Sequence, residues 1–193
     1  MNINNQKKII IFLMGNKEEL FSINQIAKSL NMNYKIAFQE TKKLEKEGII
    51  KISRLGNSNQ CSFSYQLNEK TFSAELIKRA EFLRNKDFKV FYNRVTELKN
   101  PFFTLLVFGS HANGKAKKAS DLDVCLITES KEVKKNIQTI VSITPFEVHI
   151  IEFTSREFQS MINTKKSNVG KEILDNNIIL KGIEPFYEMI ANA

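Results

Sequence analysis

Residues 102–127 read FFTLLVFGSHANGKAKKASDLDVCLI, and this stretch decides how the second half of the chain is built. Phe102 to Phe108 is a near-continuous apolar run, the pattern of a strand buried on both faces. It empties into Gly109-Ser110 and a short segment able to begin a helix. Such a junction suits a phosphate: glycine lets the backbone come close, amides at a helix start point at the anion, and the serine hydroxyl adds a donor. Asp121-Leu122-Asp123 then leads into a second apolar strand, Val124 to Ile127. The period of two along a strand puts Asp121 and Asp123 on one face. Two carboxylates side by side at the mouth of an apolar strand are costly unless a cation lies between them. Magnesium meets that demand, being held by one or two carboxylates and the oxygens of a phosphate substrate. Only four Asp occur in the chain, at 87, 121, 123 and 175, so a D-x-D pair behind a Gly-Ser turn is an uncommon coincidence.

The residues that follow continue an alternation of helices and strands. Val133, Ile137, Ile140 and Val141 share one side of a helix expected from Lys131 to Val141. Pro145 to Ile151 reads as the next strand, with Glu147 and His149 on one face. Thr154-Ser155-Arg156-Glu157 has the form of a capping box and starts another helix. A helix over Val169 to Leu174, a short strand Ile178 to Leu180 and a terminal helix from Glu184 complete an α/β pattern, a mixed sheet flanked by helices over residues 100–193.

The run FGSHANGKAKKASDLDVCLIT, residues 108–128, resembles the signature of the nucleotidyltransferase superfamily of polymerase-beta type. Its G-S-x10-D-x-D spacing is similar to that of the minimal nucleotidyltransferases, which include antitoxins that transfer AMP to a tyrosine of a HEPN (higher eukaryote and prokaryote nucleotide-binding) toxin. The resemblance extends from about Phe102 to the C terminus. It implies that Gly109 and Ser110 bind the nucleoside triphosphate, that Asp121 and Asp123 hold two Mg2+ ions, and that a third acid, here Glu147, stands on the next strand. Minimal members often carry Arg where this chain has His111 and Asn113, and usually Asp where it has Glu147. Lys115, Lys117 and Lys118 are then the source of the missing positive charge, with Lys115 and Lys118 assigned to the nucleotide. His111 and His149 are the only histidines and both lie by the implied site, where each is read as structural.

Upstream, the pattern changes. A helical segment over residues 5–15 ends at Gly15. Ser22-Ile23-Asn24-Gln25 has capping-box form, with Ile23, Ile26, Ala27 and Leu30 at helical spacing behind it. Asn33 can cap a third helix running to Glu47, with Ala37, Thr41 and Leu44 on one face. Strands Ile49 to Leu55 and Cys61 to Leu67 are expected around a loop of turn formers from Gly56 to Gln60. Helix, helix, turn, helix and basic hairpin is the order of a winged helix-turn-helix, and LEKEGIIKI resembles the end of the recognition helix and first wing strand of that superfamily. The resemblance implies that Tyr34, Lys35, Phe38 and Gln39 enter a DNA groove, that Lys42 and Lys43 reach phosphates, and that Arg54 and Asn57 lie on the wing. Between the two parts, Thr71 to Leu98 lacks Pro and Gly and has helical periodicity with a break near Asn85. The expected domains are therefore 1–69, a DNA-binding winged helix; 70–99, a helical connector; and 100–193, the nucleotidyltransferase. A homodimer is expected, because two-fold operators suit two-fold proteins.

Charge divides in the same way. Of 193 residues, 26% are charged and the net charge is +8. Residues 1–70 carry 11 basic against 6 acidic side chains, 71–99 carry 7 against 4, and 100–193 carry 11 of each. The excess belongs to the first half, where an anionic partner such as duplex DNA would sit. Cys61 and Cys125 match no metal-ligand spacing and read as ordinary strand residues. The apolar run Ile9 to Met14 is too short for a signal segment or a membrane span, and a cytoplasmic protein is expected. The sequence thus points to a DNA-binding, Mg2+-dependent transferase moving a nucleoside monophosphate, AMP from ATP, to a hydroxyl of a HEPN-type toxin or other acceptor. A transcription regulator that only binds a nucleotide and an RNA-directed nucleotidyltransferase are the alternatives.

Overall fold

The structure is a computed structural model that describes residues 3–17, 19–56, 58–117 and 120–193. It is a mixed α/β protein with two sheets, divided into two compact units, Met1–Ala74 and Glu75–Ala193.

In the first unit, helix α1 (Asn5–Met14) precedes a two-residue strand β1 (Phe21–Ser22), helices α2 (Ile23–Ser29) and α3 (Tyr34–Lys46), and strands β2 (Ile50–Leu55) and β3 (Ser58–Phe63). Each helix start is encoded locally. The Asn4 side chain accepts from the Lys7 amide, Ser22 and Gln25 form a capping box, and the Asn33 side chain accepts from the Lys35 amide. Such caps satisfy orphan amides and contribute about 1 kcal/mol each. The helices bury Ile9, Ile10 and Leu13 of α1, Ile23 and Ile26 of α2, and Ala37 and Leu44 of α3.

The hairpin differs from the sequence expectation. Strand β3 begins at Ser58 and ends at Phe63, and Leu55 pairs with Ser58, so the residues expected in a long loop are mostly ladder. Gly56, at φ +58°, turns the chain at once, which only glycine does cheaply. Beyond Phe63, Tyr65 adopts φ +50° and breaks the extended run that was expected to reach Leu67. The antiparallel order β1-β3-β2 includes a strand that no sequence pattern marks, because two residues are too short to show a period.

Helix α4 (Glu69–Phe82) runs across the division between the units, and α5 (Lys86–Thr96) follows the break at Asn85, whose side chain caps it. The second unit continues with β4 (Thr104–Val107), α6 (Gly109–Ala112), β5 (Leu122–Ile127), α7 (Lys131–Ser142), β6 (Val148–Phe153), α8 (Ser155–Ile162), α9 (Val169–Asp175), β7 (Ile178–Lys181) and α10 (Ile183–Ala191). The sheet order is β6-β5-β4-β7, with β5 and β6 parallel and the other pairs antiparallel. Leu105, Val107, Val124 and Leu126 form one core with Phe91 and Val95 of α5 and Val133 and Ile137 of α7. Leu106 and Cys125 are registered partners on the alternate face and are fully buried, as are Phe158 and Phe186 of α8 and α10. Coverage of both faces explains why β4 and β5 read as apolar runs.

Two details depart from expectation. Phe102 is 83% exposed and outside β4, because the Asn100 side chain accepts from its amide at 2.8 Å and turns the chain before the strand starts. Strand β6 starts at Val148, so Glu147 stands one residue before it.

Candidate functional site

The end of β4 and the start of β5 meet at the Gly109 turn. The Phe108 amide donates to the Asp123 carbonyl at 3.0 Å, which ties the residue before Gly109 to the middle of the D-x-D segment. Gly109 has φ +67°, and a Cβ there would run into the Asp123 carboxylate. Glycine is therefore required twice, for its backbone and for the space that the carboxylate fills. Ser110 lies in the single helical turn α6, half-buried.

His111 has a specific structural task. Its Nε2 lies 3.1 Å from the Ser120 carbonyl, and because a carbonyl only accepts, Nε2 carries the proton. Its ring packs edge-on against Phe88, centroids 5.1 Å apart. The side chain thus fastens the residue preceding Asp121 to α6. Lys115 is exposed, and its amide bonds to the Ser110 carbonyl and the Asn113 side chain, so the loop is tied to the Gly109 turn by its backbone. Lys117 is exposed as well, whereas Lys118 lies outside the described residues.

Asp121 is exposed just before β5, and Asp123 is half-buried within it. The parallel register pairs Leu122 with Val148 and Asp123 with His149, and the Leu122 amide donates to the Glu147 carbonyl at 2.9 Å. Neighbours in a parallel ladder share a face, so Asp121, Asp123, Glu147 and His149 line the same side. Of the two β6-side residues, His149 is the one that reaches a carboxylate, with Nδ1 3.5 Å from Asp123 Oδ1. Glu147 is exposed at the edge of this group. The alternation of Pro145 to Ile151 puts Glu147 and His149 on one face, and their level against β5 is set by the strand register.

Among the described residues no three His, Cys, Asp or Glu side chains are gathered as a metal cluster. The donor set still suits a hard divalent ion that arrives with phosphate, since Mg2+ takes one or two carboxylates and fills its remaining positions with phosphate oxygens and water. The space left by the missing Gly109 side chain keeps the Asp123 carboxylate against the turn where that phosphate would lie. A cavity of about 630 Å³ lies elsewhere, at the opposite end of the sheet, lined by Phe103, Ile127, Ser155 and Met189 among others.

In the first unit, Tyr34, Lys35, Phe38 and Gln39 are all exposed on α3, and the Tyr34 and Phe38 rings stand 6.3 Å apart. Lys42 pairs with Glu45 at 2.9 Å and Lys43 with Glu40 at 2.8 Å, and the Lys43 hydrogen bond holds the Glu40 carboxyl below its usual range. Arg54 Nε donates to the Gly56 carbonyl at 3.2 Å, folding back on the hairpin; Asn57 lies outside the described residues. Cys61 and Cys125 are buried and free, and burial pushes their thiols up to about 11 and about 12. No helix among the described residues is long and apolar enough to cross a membrane.

Residues 93–174 match the family model of a nucleotidyltransferase domain, a span running from the end of α5 through most of α9 and including the Gly109 turn, the D-x-D segment and β6. No match is found among curated proteins. A domain of this family supports nucleotidyl transfer in general, and so a transferase.

Proposed function

We propose that the protein transfers a nucleoside monophosphate, AMP from ATP, to a hydroxyl of a protein acceptor of the HEPN-toxin type. The observation that carries this reading is the meeting of Gly109 and Asp123, a side-chain-free turn held directly against a carboxylate by the Phe108–Asp123 backbone bond. In it, Gly109 and Ser110 cradle the triphosphate through backbone amides and the serine hydroxyl, with Lys115 adding positive charge from the adjoining loop. Asp121 and Asp123, with Glu147, would hold two Mg2+ ions, which when bound neutralise the triphosphate and lower the pKa of the acceptor hydroxyl. The acceptor oxygen bonds to the α-phosphorus as the bond from that phosphorus to the bridging oxygen breaks. Pyrophosphate leaves with the electron pair, and the acceptor proton passes to Glu147.

The first unit is read as a winged helix that grips duplex DNA, with two copies of the chain on a two-fold site. Its order of helix, short strand, two helices and hairpin supports this reading, as does the exposure of Tyr34, Lys35, Phe38 and Gln39. DNA binding beside transferase activity suits an autoregulated antitoxin acting in the cytoplasm.

Incubation with Mg2+ and each of four α-labelled nucleotides, with and without a HEPN-type acceptor, tests the transferase. Label from ATP should appear on the acceptor and vanish in Asp121→Ala and Asp123→Ala. Nucleotide binding without transfer would make the domain a sensor of nucleotide, and extension of an RNA 3′ end would make the acceptor RNA. Failure of the wild type to bind any nucleotide would overturn the reading.

A further inference from the structure

We propose that His149 is a metal ligand beside Asp123, and that its imidazole turns the site toward a first-row transition ion such as Mn2+ or Co2+ in preference to Mg2+. The inference rests on the transferase reading above, and concerns which ion that site takes. The parallel register sets His149 directly beside Asp123, and Nδ1 and Oδ1 lie 3.5 Å apart. An N–H···O hydrogen bond spans about 2.7–3.2 Å, so the pair is too far apart for a good one. Its spacing instead approaches the bite of two donors on one cation. Metal–N and metal–O bonds of about 2.0–2.2 Å put adjacent donors roughly 3.0 Å apart in an octahedron and roughly 3.4 Å apart in a tetrahedron. A shift of a few tenths of an ångström would let both close on one ion, about the size of an ordinary rotamer adjustment.

Access and fixation favour this role. The His149 side chain is 67% exposed and the Asp123 side chain 31%, so an ion reaches the pair from solvent without opening the core. No hydrogen bond among the described residues engages either ring nitrogen of His149, whereas His111 is committed through Nε2 to the Ser120 carbonyl. The two histidines therefore divide: His111 fastens the loop, and His149 is left facing the carboxylates. Imidazole nitrogen is a borderline donor, and Mg2+ takes oxygen almost exclusively. Exchange of an oxygen donor for nitrogen weakens Mg2+ relative to the transition ions.

Mn2+ is added to the full-length protein, alone and with inorganic pyrophosphate, and electron spin-echo modulation reads nitrogen bound to the ion. The wild type should show 14N modulation, which His149→Asp and His149→Gln should lose while both retain the wild-type melting temperature. Mg2+ should displace Mn2+ from the wild type only in large excess, and His149→Asp should cut the required excess about tenfold. No bound Mn2+ under either condition, no 14N modulation, or an unchanged displacement ratio in His149→Asp overturns the inference. Label transfer by the wild type with Mg2+ alongside any of those results would leave the transferase reading standing.

Discussion

Gly109→Ala isolates the contact between the turn and Asp123, because a second glycine provides its control. At φ +67° an alanine adopts a left-handed backbone that costs about 1–2 kcal/mol. For a unit of this size that lowers the melting temperature by about 3–10 °C. Gly114 has φ +71°, so Gly114→Ala should have a similar cost, but nothing lies within 4 Å of its Cβ position. At Gly109 the new Cβ meets the Asp123 carboxylate, the movable end of a side chain, and the carboxylate must swing away. Folding survives that movement, whereas a displacement of about 1 Å at a reacting centre costs about 100-fold in rate. Melting curves and α-labelled ATP transfer on both variants provide the comparison. Similar losses in melting temperature are expected, with a transfer loss of about 100-fold in Gly109→Ala alone. Equal transfer by the two variants would refute the argument that Gly109 is kept for the carboxylate.

Tyr187→Phe removes the hydroxyl that donates to Glu75 Oε1 at 2.8 Å; Glu75 is fully buried, and Lys78 Nζ lies 3.4 Å from its other oxygen. Loss of a donor to a buried carboxylate should cost about 1.5–3 kcal/mol, measured by urea denaturation. Cys125, with its thiol raised to about 12 against an ordinary value of 9.0, stays protonated in the fold while an unfolded chain ionises earlier. Its contribution to stability is full below pH 9 and is lost as pH rises toward 12, so Cys125→Ser should reduce the alkaline fall in a stability–pH curve. On the DNA-binding reading, the logarithm of the affinity for duplex DNA should fall linearly with the logarithm of salt concentration. Lys43→Ala, at a residue read as reaching a phosphate, should reduce the slope by about 1, whereas Phe38→Ala should lower affinity without changing it.

Much of the local geometry of the candidate site is legible in the sequence. The Gly109-Ser110 turn follows from a glycine placed after an apolar run, and the common face of Asp121 and Asp123 follows from strand period. Neither needs a distant partner. The place of His149 beside Asp123 is not legible in this way, because Glu147 and His149 share one face and nothing local says which of them stands level with Asp123. Only the pairing of β5 with β6 decides it, and that places Glu147 one step before the strand. His111 was equally opaque, since its partners Ser120 and Phe88 lie 9 and 23 residues away in opposite directions along the chain.

What the sequence determined by itself is local: the caps at Ser22, Asn33 and Thr154, the break near Asn85 between α4 and α5, the turn at Gly109, and the charge division between the halves. These features depend on side chains bonding to backbone within a few residues, or on composition alone. Tertiary structure decided the neighbours. It set the order β6-β5-β4-β7, shortened the hairpin to a turn at Gly56, brought the two-residue β1 onto β3, and exposed Phe102 beside a buried strand. Strand partners are chosen by how whole faces bury against helices from elsewhere in the chain, and a short segment carries no record of that choice.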